Sequence, residues 1–496
     1  MDEGESVSGK PVSVPQVTSG ARGLAVVLGA GALLGFIVLG DRTIAGLALA
    51  LVASMAAGTI AMLVVQRPAA AFAVILLLAS LSRVVIDLPV GRVRLEQPAI
   101  IAAFITLTVT HGWPRRALIR PLLPLIGAFA VYLVVLTLAS IVNAPAPMVS
   151  ARMIIWTLLS MAGGAVTFAL LVRRGEAGSD TWFTVTGVAH ALIGLAAAAA
   201  FLAMGPNGIP GIQLSPGEPP KVAGFAFEAN LYASMLAGLA PFAIERFRTR
   251  PRPATAVPVI LILAAVGLGV TRGAYLGLAA GLLVYLAVVA LRVRRHAELG
   301  AVIPVLIVGV LLAPSLASVT LPVDRPAVAH PSQTPGASGG GGAVASPSTG
   351  PSIPTPAPSP TPVANTLVFR LDRIPAAIAD LKSSPLIGLG AASYGQRHAL
   401  PYTQGAPDYI GILALVALYE SGVVGAAALG LGFLLALFLL LRASAVHPGP
   451  AAAYVASLIV LLVAYQATNA LFFSINWIIL GAGLAMVART GAREPN

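Results

Sequence analysis

Residues 115–142 read RRALIRPLLPLIGAFAVYLVVLTLASIV: three arginines, then an uncharged run from Pro121 to Val142. A run of that length crosses about 30 Å of hydrocarbon as a helix. In lipid it has to be helical, because its backbone groups must be satisfied within the segment. The arginines at one end fix a direction, since Lys and Arg are retained on the cytoplasmic side.

The same reading extends along the chain. Gly23 to Gly40, Thr181 to Met204 and Ala274 to Leu291 are further uncharged or nearly uncharged runs. Hydrophobic residues make up 57% of the 496 residues, charged residues 10%, and the mean hydropathy is +0.91. That composition leaves too little polar surface to clothe a water-soluble globule. The apolar runs predict an all-α, polytopic bundle of about fourteen transmembrane helices. They fall at 23–40, 43–65, 68–86, 97–113, 121–142, 149–172, 181–204, 228–244, 254–270, 274–291, 300–320, 409–441, 451–470 and 473–488.

With a cytoplasmic N-terminus, Arg115, Arg116 and Arg120, then Arg173 and Arg174, Arg246 to Arg252, and Arg292 to Arg295 all face inward, and both termini lie inside. The net charge of +12 is thereby accounted for by orientation, without a nucleic-acid partner. Residues 1–22, polar and of mixed charge, do not fit a cleaved secretory signal and read as a cytoplasmic tail, as do 490–496. The chain has no cysteine, which excludes disulfides, thiolate chemistry and cysteine metal sites.

Helices fill 23–320 and 409–489, leaving 321–408 as one long loop on the outer face. Within it, 331–363 is uncharged and rich in Pro, Ser, Gly, Ala and Thr, the composition of a flexible tether. Residues 366–408 form its structured part. Val368, Leu371, Ile374, Ile378 and Leu381 recur at three- and four-residue steps and predict an amphipathic helix. Pro385-Leu-Ile-Gly-Leu-Gly390 follows as a tight turn in which Gly388 and Gly390 permit close backbone approach.

Cations on the outer side need a reason other than topology. They include Arg152, Lys221, Arg272, Arg370, Arg373 and Arg397. Arg272 lies between two apolar runs with almost no loop, so its guanidinium sits at the membrane boundary, where it can grip a diphosphate bidentately or snorkel to headgroups. Arg370 and Arg373, three apart, can reach one anion, or form a solvated face with Asp372 and Asp380. Glu420 is an ionisable group inside an apolar stretch, a functional position or a structural pair or cap. Asp408 reads as a general base or a helix N-cap, and His398 as a substitute base or a surface histidine. No phosphate-binding loop, nucleophile elbow or metal-ligand spacing is present, so no metal and no cofactor is expected.

Four motifs in order, from Gly224 to the C-terminus, resemble the O-antigen ligase and O-antigen polymerase superfamily. Gly224-Phe-Ala-Phe-Glu-Ala-Asn230 is similar to its helix entry, with alanine where the family has proline before the asparagine. Thr271-Arg272-Gly273 is similar to its Ser-Arg-Gly signature. Phe369-Arg370-Leu371, running into the turn that ends at Gly390, is similar to its outer-loop arginine helix. Glu420-Ser-Gly422-Val-Val-Gly425 is similar to its Glu-x-Gly-x-x-Gly helix start. Where the family carries a His-Asn pair, or an Asp in place of the His, this chain has Gly411-Ile412, with Asp408 three residues upstream.

The resemblance implies a metal-independent, inverting glycosyltransferase in the bacterial plasma membrane. It would move a glycan from undecaprenyl diphosphate to a hydroxyl of a lipid or glycan acceptor on the outer face. Arg272, Arg370, Arg373 and Lys221 would bind the diphosphate, Asp408 or His398 would act as base, and Glu420 would position an arginine. Asn230, Gly388, Gly390 and Gly422 would be structural. A repeat-unit polymerase of the same superfamily and a lipid-linked glycan transporter are the alternatives; a transporter should show repeated halves, and no such repeat is visible.

Overall fold

The computed structural model describes residues 44–88, 91–174, 179–204, 211–213, 221–226, 228–293, 300–309, 370–400, 402–403, 406–407, 410–468 and 470–491. The expected helix 23–40, both tails except residues 490 and 491, the tether 331–363 and Asp408 lie outside them.

The described chain is mostly helical. In order it forms α1 (Ile44–Gln66), α2 (Pro68–Ser80), a hairpin of β1 (Val85–Leu88) and β2 (Gly91–Arg94), α3 (Glu96–Val109), α4 (Arg116–Ile119), α5 (Leu123–Asn143), α6 (Pro147–Arg174) and α7 (Ser179–Met204). A two-residue ladder of β3 (Ile212–Gln213) and β4 (Lys221–Val222) precedes α8 (Ala229–Thr249), α9 (Pro253–Leu268), α10 (Arg272–Arg292) and α11 (Gly300–Gly309). Then follow α12 (Arg373–Leu381), α13 (Ser393–Arg397), the short ladder β5 (Tyr402–Thr403) and β6 (Ala406–Pro407), α14 (Leu413–Ala443), α15 (Pro448–Ala464) and α16 (Ser474–Gly491).

Among the described residues, six helical segments are long and apolar enough to cross a membrane: Arg116–Asn143, Pro147–Arg173, Ser179–Met204, Arg272–Arg292, Leu413–Ala443 and Pro448–Ala467. Most of the other expected ranges hold shorter apolar helices, such as Pro68–Ser80, Glu96–Val109 and Pro253–Leu268. The expected helix 68–86 ends early, at Ser80. Beyond it, β-branched Val84, Val85 and Ile86, then Val93, favour extended backbone over helix, and Val85 pairs with Arg94 and Ile86 with Val93 in an antiparallel hairpin.

α8 is the centre of the bundle. From Leu231 to Glu245 every side chain is buried, so the helix has no outward face. It packs against α7, α9, α10 and α15. Closest approach elsewhere is made where side chains are absent. Gly273, Gly277 and Gly281 lay α10 directly on α15 at Ala456, Val460 and Ala464, and Gly164 of α6 meets Gly481 of α16 backbone to backbone.

Candidate functional site

The site grows from a break in α14. Gly422 interrupts the helix with φ 63° and ψ −172°. The break frees backbone groups that a buried helix cannot leave unpaired. The turn 385–390 takes them up: Leu389 and Gly390 donate to the carbonyls of Tyr419 and Glu420 (2.8 and 2.9 Å), while Val423 and Val424 donate to those of Pro385 and Leu386 (2.9 and 3.1 Å). Gly388 and Gly390 have φ of 81° and 93°. A Cβ on Gly388 would strike the backbone at Glu420 to Gly422, and one on Gly390 would lie 2.8 Å from Ser140 Cα. These glycines are what allows the turn to lodge between α5 and α14.

The end of α5 and the start of α6 secure the same turn. Asn143 Nδ2 donates to Gly388 O at 2.7 Å and Ser384 Oγ at 3.1 Å. Ser140 Oγ accepts from Ala391 N at 2.9 Å, and Ser150 Oγ donates to Ala391 O at 2.6 Å. Glu420 belongs to this fastening. Its Oε1 accepts the N–H of Ala392 at 2.8 Å, and Ala392, at φ 56°, is turned so that its amide points inward. Among the described residues Glu420 forms no ion pair with an arginine, and what it holds is this backbone amide.

On that platform α12 and α13 bring three polar side chains together. Asp380 Oδ2 lies 2.9 Å from His398 Nε2 and accepts the Tyr419 hydroxyl at 2.7 Å. The Tyr394 ring lies tilted against the imidazole at 4.4 Å between centroids and meets Tyr419 edge-on at 5.4 Å. The carboxylate thus orients a partly exposed histidine, the arrangement a general base requires. Arg397 donates to Asn143 O at 2.8 Å and ties α13 to the end of α5.

Two expected cations line the same end of the bundle. Arg272 begins α10 and is exposed, and among the described residues it has no hydrogen-bond or ion-pair partner. Beside it, Gly273 packs on Ala467, and Thr271 Oγ1 donates to Asn230 Oδ1 at 3.2 Å, which joins α10 to the start of α8. Gln466 Oε1 accepts from Ala414 N at 3.3 Å. A few residues back, Gly411, at φ 78°, lies under the Arg370 side chain; a Cβ there would stand 3.0 Å from Nε. Arg272 therefore stands next to the 464–467 end of α15, and Arg370 lies against Gly411, three residues before the Ala414 that bonds to that end. At the position where the resemblance leads one to look for a histidine–asparagine pair, a bare backbone makes room for Arg370.

Arg373 is placed differently from the expectation that it shares an anion with Arg370. It is 7% exposed and has an interaction of its own. Lys221, half-buried on β4, pairs with Gln213 of β3 and also has interactions of its own.

Sequence reading did not single out Tyr419 or Asn143, and it took Asp380 for a local partner of arginines. Their partners are 18 to 245 positions away in the chain, and no periodicity reports contacts of that kind. The buried pair Arg94 and Glu96 was also missed, although charges at the edge of an apolar run were the available signal. Neither a protein-family model nor a curated protein matches the chain.

Proposed function

We propose that the chain is a membrane glycosyltransferase of the O-antigen ligase type. It transfers a glycan from undecaprenyl diphosphate to an acceptor hydroxyl on the outer face of the bacterial plasma membrane. The observation that carries this reading is the pairing, at one end of an apolar bundle, of two cations without partners among the described residues, Arg272 and Arg370, with a carboxylate-held histidine.

The chemistry follows from those groups. The acceptor oxygen attacks the anomeric carbon from the face opposite the diphosphate, and the carbon–oxygen bond to the diphosphate breaks with its electron pair. Arg272 and Arg370 stabilise the charge that gathers on the departing phosphates. His398, oriented by Asp380, takes the hydroxyl proton. Asp408, four residues before Ile412, is the second candidate for that proton.

The test is release of undecaprenyl diphosphate from a purified lipid-linked glycan by the protein in nanodiscs. Release by the wild type that is lost in Arg272→Ala and Arg370→Ala supports transfer, and the product separates ligase from polymerase. Comparing His398→Ala with Asp408→Asn identifies the base. If neither slows release, both lose that role. No release from several donors by folded protein would overturn the transferase reading.

A further inference from the structure

α12 is strongly two-faced, but its buried side is not its apolar side. Arg373 and Ala377 face the protein, and Asp380, on the same side, holds His398 and Tyr419. One step around the helix lie Leu371, Ile374, Ile378 and Leu381, spaced three and four apart. Leu371 and Ile378 are each 49% exposed, although they are large aliphatic side chains two turns apart on one stripe. A third sector, with Asp372 and Ala379, is open as well, and Lys382 lies between it and the stripe. The helix thus presents three sides: one to the protein, one apolar and open, one polar and open.

The open apolar side does not stand alone. The turn after α12 carries Leu386, 64% exposed, and its carbonyl is bonded to Val424 N, beside the exposed Val423. From there the exposed surface of α14 continues through Leu431, Leu434 and Phe438, on a helix apolar enough to cross a bilayer. The helix that carries the stripe packs on α14, and Leu386, bonded to Val424, is exposed next to that belt.

We infer that α12 lies in the headgroup–acyl boundary of the bilayer, with Leu371, Ile374, Ile378 and Leu381 in lipid, Asp372 and Ala379 in water, and Lys382 reaching up to headgroups. Its occupant is the bilayer itself. This placement fixes more than the helix, because Asp380, which orients His398, is carried on the same two turns. It does not depend on the transferase reading, since it concerns only how a surface helix meets lipid.

The chain lacks cysteine, so single cysteines label without background. Leu371→Cys, Ile378→Cys, Asp372→Cys and Ala379→Cys, each carrying an environment-sensitive fluorophore, are reconstituted in phosphatidylcholine–phosphatidylglycerol vesicles, with elution profiles as the check on folding. Blue-shifted emission at 371 and 378, with quenching by lipids spin-labelled near the headgroup several-fold stronger than at 372 and 379, is the expected result, with iodide quenching in the reverse order. Either stripe position suffices if the other variant misfolds. Equal iodide access at all four positions would overturn the inference. So would protection of 371 and 378 from both quenchers, which would mean that protein covers the stripe, or stronger quenching by labels deep in the acyl chains.

Discussion

At Gly388, Gly390 and Gly422 the missing side chain is the functional property. Each has positive φ, and at Gly388 and Gly422 a Cβ would meet backbone atoms that cannot move without opening the clasp between the 385–390 turn and α14. Gly388→Ala should therefore destabilise by about 1–3 kcal/mol. Gly430, on the same helix with nothing within 4 Å of an added Cβ, is the control: Gly430→Ala should be neutral or stabilise by roughly 0.5–1 kcal/mol. Melting midpoints of the two variants in one detergent check both signs. The sequence already marked Gly388 and Gly390 through the turn pattern and Gly422 through the motif it shares with the resembled family, and it marked Glu420 as an ionisable group in an apolar run. What Glu420 holds was not legible, because its partner is the amide of Ala392, 28 positions away, and an amide leaves no trace in residue type. Asp380 is the complementary case. If it orients His398, Asp380→Asn should slow glycan transfer by about tenfold or more while donor affinity stays unchanged, and His398→Ala should cost roughly 10²–10⁴. A loss in donor affinity alone would place Asp380 in binding.

At the scale of elements, the departures from the sequence reading occur where a hydrophobic run ends. α2 stops at Ser80 because Val84 to Ile86 and Val93 prefer a hairpin, and that hairpin delivers Arg94 into the bundle. Arg94 Nε stands 2.9 Å from Glu96 Oε1, with both side chains almost fully buried. Its Nη2 donates to Ser160 Oγ at 3.2 Å, and its guanidinium lies 5.2 Å from the Phe473 ring and 5.5 Å from that of Trp156. Ser474 Oγ reaches Glu96 at 3.2 Å, so one ion pair joins the hairpin, α3, α6 and α16. Removing one partner leaves an uncompensated buried charge. Arg94→Met should therefore cost about 3–5 kcal/mol, and adding Glu96→Gln should recover much of that loss. Thermal unfolding of both single variants and the double variant decides the matter, since additive destabilisation would mean that the two charges act independently.

Over the whole molecule, the all-α class and most helix positions followed from hydropathy, because lipid imposes helix on any long uncharged run. Which helices touch could not follow, because packing here depends on glycines meeting across the chain. The closest of these seams, α10 on α15, α6 on α16 and α5 on α14, all join a helix before residue 300 to one after residue 410. The candidate site is divided in the same way: Arg272, Asn143 and Ser140 come from the first part, and Arg370, Asp380, His398 and Tyr419 from the second. The covalent link between the parts runs through 331–363, a stretch without a charged residue whose composition is that of a tether. Cohesion must then reside in the helix seams, where the buried surface is, and the peptide link should be dispensable once the parts have assembled. A protease site introduced within 331–363 tests this. After cleavage the two fragments should elute as one particle in mild detergent with the melting midpoint of the uncut protein, whereas separation of the fragments would show that the seams need the link to persist.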